Sequence, residues 1–274
     1  MKAELRNPIS FNARAVALMQ ENQFKAATKL LRRGLQCCLD QQTVYEETVF
    51  NDSDSAHKTP QLVIKTIPIH RIKSDASHNH TPGNSFLFFN RAFTVAAANM
   101  YHSCFSSMQE RRLAIILLYN TGLACHNQAI QSTRDHAKSS TLLEAALGFY
   151  EKAASLLLQD GEGVIEREAS HHQQLGLMMM ALFNNMGHIF AHFFDFESSH
   201  ICRDWVGRIL SSMQRIPRDS DSDFSNSVSD DSSSSSDDDD DDEEENDDQS
   251  NFAFFFENTY FQSTRCRIVT SAAA

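Results

Sequence analysis

Two stretches, YNTGLACH (Tyr119–His126) and NNMGHIFA (Asn184–Ala191), line up with Asn in the second place and Gly in the fourth. Around each, the chain repeats at helical spacing, through Ile115, Leu118, Gly122 and His126 in one and Met178, Leu182, Asn185, Ile189 and Phe193 in the other. A glycine inside a helix costs about 1 kcal/mol against alanine. Two of them in equivalent settings therefore predict that a neighbouring helix approaches each one closely.

Working outward, each stretch has a companion. Leu143, Ala146, Tyr150, Ala153 and Leu157 follow the first, and Ile201, Trp205, Ile209 and Met213 follow the second. Near the N-terminus, Phe11, Ala15 and Leu18 are separated by the polar Glu21-Asn22-Gln23 from Phe24, Ala27, Leu31, Leu35 and Cys38. The spacing thus predicts three helical hairpins, each helix with one apolar stripe that a neighbour must cover.

Between the first two hairpins the pattern changes. Gln61–Ile72 (QLVIKTIPIHRI) and Ser85–Val95 (SFLFFNRAFTV) are rich in β-branched and aromatic residues, and Lys73–Asn84 supplies the turn. Pro68 lacks a backbone donor, so its strand lies on an edge or ends there. A small antiparallel β element at about 61–96 is expected beside the helices. A last aromatic run, Phe252–Phe261, reads equally as a strand or as a capping helix that packs back on the body.

The paired pattern resembles the tetratricopeptide repeat, in which a small residue on the first helix admits the second helix, itself patterned alanine, aromatic, alanine. The resemblance covers roughly 130 of the 274 residues. It assigns packing roles to Ala15, Ala27, Gly122, Ala146, Tyr150, Ala153, Gly187 and Trp205. The units are degenerate: a regular array repeats every ~34 residues, whereas Asn120 and Asn185 stand 65 apart. The middle connection is also about twelve residues longer than a regular unit allows. The expected fold is mainly α, a short irregular helical-hairpin solenoid over residues 1–214 with the β insertion.

In tetratricopeptide proteins the first helices line a groove that receives a peptide. The resemblance therefore places Tyr119, Leu123, His126 and Asn127, with Asn184, His188 and His192, on an inner face. No Lys or Arg stands there to clamp a terminal carboxylate, and Asn and His suit neutral hydrogen bonding to an extended backbone. The expected function is a non-catalytic scaffold that binds another protein or a peptide, without cofactor or metal.

The formal net charge of -12 misleads about the body. Asp219–Asp248 carry sixteen acidic residues and no Lys or Arg, which leaves 24 basic against 20 acidic residues elsewhere. A nearly neutral body offers no field for nucleic acid. Residues 215–250, almost without apolar content, are expected to be disordered, between the helical domain and an aromatic segment at 251–274. Ser227, Ser234, Ser235 and Ser236 each have Asp three residues on, a pattern suited to acidophilic kinases. Capture of basic proteins such as histone-like tails by this tract is the alternative function.

A His-based metal enzyme is the third reading. His188 and His192 stand four apart on one helix with Asp195 and His200 nearby, but no Glu follows the first His and no Cys pair supports a site. His78 and His80 lie in the polar turn. Cys104, Cys125, His102 and His126 are neighbours only along the chain, and adjacency on a helix turns side chains apart. The six cysteines show no disulfide framework. No signal-like segment opens the sequence and no apolar run is long enough to span a bilayer, so the expected location is cytoplasmic or nuclear.

Overall fold

The computed structural model describes residues 7–46, 62–69, 87–96, 107–132, 135–159, 173–214 and 254–255. In chain order these form α1 (Pro8–Gln20), α2 (Phe24–Glu46), β1 (Val63–Pro68), β2 (Arg91–Ala96), α3 (Ser107–Gln131), α4 (His136–Leu158), α5 (Gln173–His192) and α6 (Phe196–Gln214). The helices pack as antiparallel-style neighbours in sequence, α1 with α2, α3 with α4 and α5 with α6; α2 meets α3, and α4 meets α5.

Local signals set the helix ends. Asn7 caps α1 by accepting from the Ile9 N–H at 2.9 Å, with Pro8 in the first turn, where its missing donor costs nothing. Asp135 and Asp195 cap α4 and α6 by accepting from Lys138 and Ser198. The bond from Ser198 also holds the Asp195 carboxyl below its ordinary range.

The turns of the first and third hairpins are the same, residue for residue. Glu21, Asn22 and Gln23 donate to the carbonyls of Ala17, Met19 and Leu18; Phe193, Phe194 and Asp195 donate to those of Ile189, Ala191 and Phe190. Asn22 and Phe194 take the left-handed conformation, with φ of 62° and 61°. Asparagine tolerates that region, whereas a bulky phenylalanine is strained in it. Phe194 is also 78% exposed, so its ring does not repay that strain by burial.

The sheet is two antiparallel strands, with Val63 opposite Ala96 and Pro68 opposite Arg91, so β1 does end at its proline. Pairing is shorter than the aromatic run implied: Leu87–Asn90 precede β2 and lie outside the strand, although the Ile69 N–H donates to the Asn90 carbonyl. The turn at Lys73–Asn84 lies outside the described residues, as do Asp219–Asp248, Cys104 and Cys266. Of the last aromatic run only Phe254 and Phe255 are described; they are helical, and Phe255 is buried against Phe89 with ring centroids 4.9 Å apart.

Two expectations need correction. The middle connection is not long: α3 runs on to Gln131 and α4 starts at His136, because the chain has no helix breaker before the Asp135 cap. Nor does α3 have a single apolar stripe. From Ile115 to Asn127 every side chain and Gly122 are buried, since α2, α4, α1 and β2 surround the helix.

Close approach to α3 depends on glycine. A Cβ on Gly122 would stand 2.7 Å from Cε1 of Tyr150, the buried aromatic of α4, and one on Gly34 of α2 would stand 3.1 Å from Leu117 Cδ2. Ala15, Ala27, Ala146 and Ala153 are fully buried as well, and Gly187 is buried. Trp205 is half-buried, stacked on Phe183 at 5.3 Å and covered by the Arg208 guanidinium at 4.5 Å.

A pair of substitutions separates packing from helix propensity. Gly122→Ala is expected to destabilise by about 1–3 kcal/mol through overpacking. Gly148→Ala, on the same hairpin with open space at its Cβ, is expected to stabilise by up to about 1 kcal/mol. Urea denaturation of both variants checks this. By the same measurement Phe194→Gly, which relieves the left-handed strain, gains about 1 kcal/mol.

Candidate functional site

Helices α1, α3 and α5 converge on one segment, Leu87–Ala96, which runs from α5 to α3 and α1. A strand exposes alternate peptide groups along its two edges. Asn90, Ala92 and Thr94 face β1, which leaves the N–H and C=O groups of Leu87, Phe89, Arg91 and Phe93 directed at the helices.

Asparagine amides meet those groups as a third strand would. Asn185 of α5 accepts from the Phe89 N–H at 3.0 Å and donates to the Phe89 carbonyl at 3.1 Å. Asn120 of α3 does the same at Phe93, accepting at 3.0 Å and donating at 2.7 Å. A carboxamide carries one acceptor and two donors, so it can close this ring on a single residue's peptide groups. The residues gripped are four apart, an advance of about 13 Å along an extended chain.

A second pair of asparagines holds carbonyls alone. Asn184 donates to Leu87 at 2.8 Å and Asn12 of α1 to Phe93 at 3.0 Å. By the matching turns these two occupy equivalent places in α5 and α1. Tyr119 fills the remaining gap, donating from its hydroxyl to the Arg91 carbonyl at 3.1 Å. The network closes on itself: Asn120 donates to Asn12 Oδ1 at 2.7 Å, and the second N–H of Asn185 is shared between the hydroxyls of Tyr119 and Tyr150 at 3.2 and 3.4 Å. Burial raises both phenols far above their ordinary range, against the lowering effect of the Asn185 bond, and keeps them neutral.

Side chains of the segment fill pockets between the helices. Phe93 meets Tyr119 edge-on at 4.9 Å, and Phe89 packs against Phe254 and Phe255. Phe88 lies over the His126 ring at 4.2 Å and near His188 at 5.7 Å. His126 Nε2 and His188 Nδ1 share a hydrogen bond at 3.1 Å, while His126 Nδ1 is buried with no hydrogen-bond partner among the described residues. Burial first, then His188 and His192, push the His126 imidazole well below its ordinary pKa.

The sequence-assigned groove residues divide accordingly. Tyr119, His126, Asn127, Asn184 and His188 all touch the segment, Asn127 by donating to Asn90 Oδ1 at 2.8 Å. Leu123 is buried in the core behind them, and its carbonyl accepts from Asn127. His192 is exposed, its ring against Phe193. Asn12, Asn120 and Asn185 were not assigned to the groove, although the last two are the asparagines of the repeated Asn-x-Gly signature. The surface read as open to a partner is covered by the chain's own residues.

Among the described residues no group of three His, Cys, Asp or Glu is placed to hold a metal ion, and no helix is long and apolar enough to cross a membrane. Cys38, Cys125 and Cys202 are buried free thiols, and burial pushes Cys38 and Cys202 up to about 12. No family model matches this chain, and no curated protein or solved structure is significantly similar to it.

Asn120→Ala leaves the peptide groups of Phe93 short of partners in a dry interior and is expected to cost about 2–4 kcal/mol in urea denaturation. A second expectation concerns pH. The fold keeps His126 neutral, whereas the unfolded chain takes up a proton near pH 6.5. The contribution of the neutral ring is therefore complete above that value and is lost as the pH falls through it. The stability difference between the wild type and His126→Leu should shrink or invert between pH 7 and pH 5; a difference independent of pH would contradict the assignment.

Proposed function

We propose that the chain is a non-catalytic protein-interaction scaffold whose inner helices hold a peptide or another subunit in extended form. The observation that carries this reading is the amide ladder. Asn12, Asn120, Asn184 and Asn185 are directed at backbone groups of an extended segment and not at its side chains. Main-chain hydrogen bonds supply affinity in peptide recognition by strand addition, and pockets for alternate side chains supply selectivity. Both elements are present around Leu87–Ala96.

The polar groups of the site support binding over bond-making. Amides neither accept nor release protons near neutral pH, and the tyrosines and His126 are all held in their neutral forms. Such a surface offers directed hydrogen bonds in a dry setting, which is the requirement for holding a chain in register.

Affinity capture from native extract with the intact protein, Asn185→Ala and a deletion of Asp219–Asp248 tests this against the acidic-tract reading. Circular dichroism first establishes that each variant folds. Partners retained by the deletion and lost by Asn185→Ala are the expected result. Partners that vanish with the acidic tract and persist in Asn185→Ala would assign binding to the tract and overturn the proposal.

A further inference from the structure

Resting on the scaffold reading, we infer that Leu87–Ala96 is a built-in occupant of the groove, and that it is exchanged for an extended segment of a partner carrying the same aromatic spacing. The bonds from Asn120 and Asn185 go to peptide groups, so any extended chain with free N–H groups at the places of Phe89 and Phe93 satisfies them equally. Proline at either place would be rejected.

Side-chain selection comes from the pockets. The places of Phe89 and Phe93 are almost sealed, at 1% and 0% exposure, with aromatic walls. Ala92 has no exposed surface, so only a small residue fits before the second aromatic. Phe88 supplies a ring to the His126 face. The partner segment then reads aromatic, aromatic, two variable residues, small, aromatic. Arg91 and Thr94, which the pattern leaves variable or unspecified, are only half-buried.

The manner in which the segment is held favours exchange. Among the described residues its one strand neighbour is β1, and a two-stranded hairpin is marginal by itself in water. Binding of Leu87–Ala96 therefore depends on helix side chains that treat a segment from the same chain and one from another alike. The tethered copy competes at an effective concentration in the mM range, so a free peptide should bind the wild type weakly and bind strongly once the tethered copy is impaired.

The test uses a fluorescent peptide LFFNRAFTVA, the sequence of Leu87–Ala96, titrated by anisotropy into the full-length protein and into Phe89→Ala/Phe93→Ala. The double variant is expected to bind at least tenfold more tightly than the wild type. A peptide with Ala at both aromatic places should bind neither protein, and adding Asn120→Ala and Asn185→Ala to the double variant should abolish binding. A folded double variant that ignores the peptide, or binding that survives loss of both asparagines, overturns the inference. Should the double variant not fold, a peptide with benzoylphenylalanine at the place of Phe93 is irradiated with the wild type. Crosslinks to Tyr119 or Asn120 support exchange, and their absence overturns it. Groove-dependent capture of partners together with a peptide that never binds would leave the scaffold reading standing and remove exchange alone.

Discussion

A strand edge buried inside protein cannot leave its peptide groups unpaired, because each unmet donor or acceptor costs about 1–3 kcal/mol. β2 lies between β1 and the helices, so one of its edges faces a dry wall of α-helix, whose own backbone groups are already committed. Only side chains can complete that edge. The buried asparagines on α1, α3 and α5 do so, and the helices are placed where their amides reach alternate residues of the extended segment. The close helix packing follows from the same need. Gly122 lets Tyr150 approach α3, and the Tyr150 hydroxyl helps to hold Asn185 in position.

Much of the architecture was legible because it rests on periodicity. Helical spacing located the six helices in their pairs, and Pro68 marked the end of β1. The strand patterns located the hairpin, but a shorter one than their composition implied. The extent of α3 was not legible, since Ala129 and Ile130 stand among the polar Asn127, Gln128 and Gln131 in its last turn, and the burial of its middle on every side comes from tertiary neighbours. The groove was read in part. The sequence pattern points Asn184 and Tyr119 to it, while Asn120 and Asn185 stand out only as a repeat signature. A single sequence shows that two asparagines recur at equivalent places; it does not show that the recurrence serves peptide groups four residues apart on another segment. That the occupant is the chain's own Leu87–Ala96 depends on long-range placement that spacing cannot encode.

The same network gives the fold a particular electrostatic character. Its polar centre holds amides, phenols and the neutral imidazole of His126, so its bonds are little screened by salt and are sensitive to any proton that enters. The charge that dominates the sequence lies instead in Asp219–Asp248, between α6 and the described Phe254–Phe255 pair that packs on Phe89. The polar centre and the acidic tract are thus chemically distinct, one neutral and directional and one densely anionic.

The most direct measurement is residue-resolved native hydrogen exchange on the full-length protein. If asparagine side chains complete the edge of the extended segment, the Phe89 and Phe93 amides exchange as slowly as the core amides of α3. In Asn185→Ala the protection of Phe89 then falls selectively while α3 retains its own. Rapid exchange at Phe89 and Phe93 in the wild type, with α3 protected, would contradict the account, because the segment would then not be held by the helices at all.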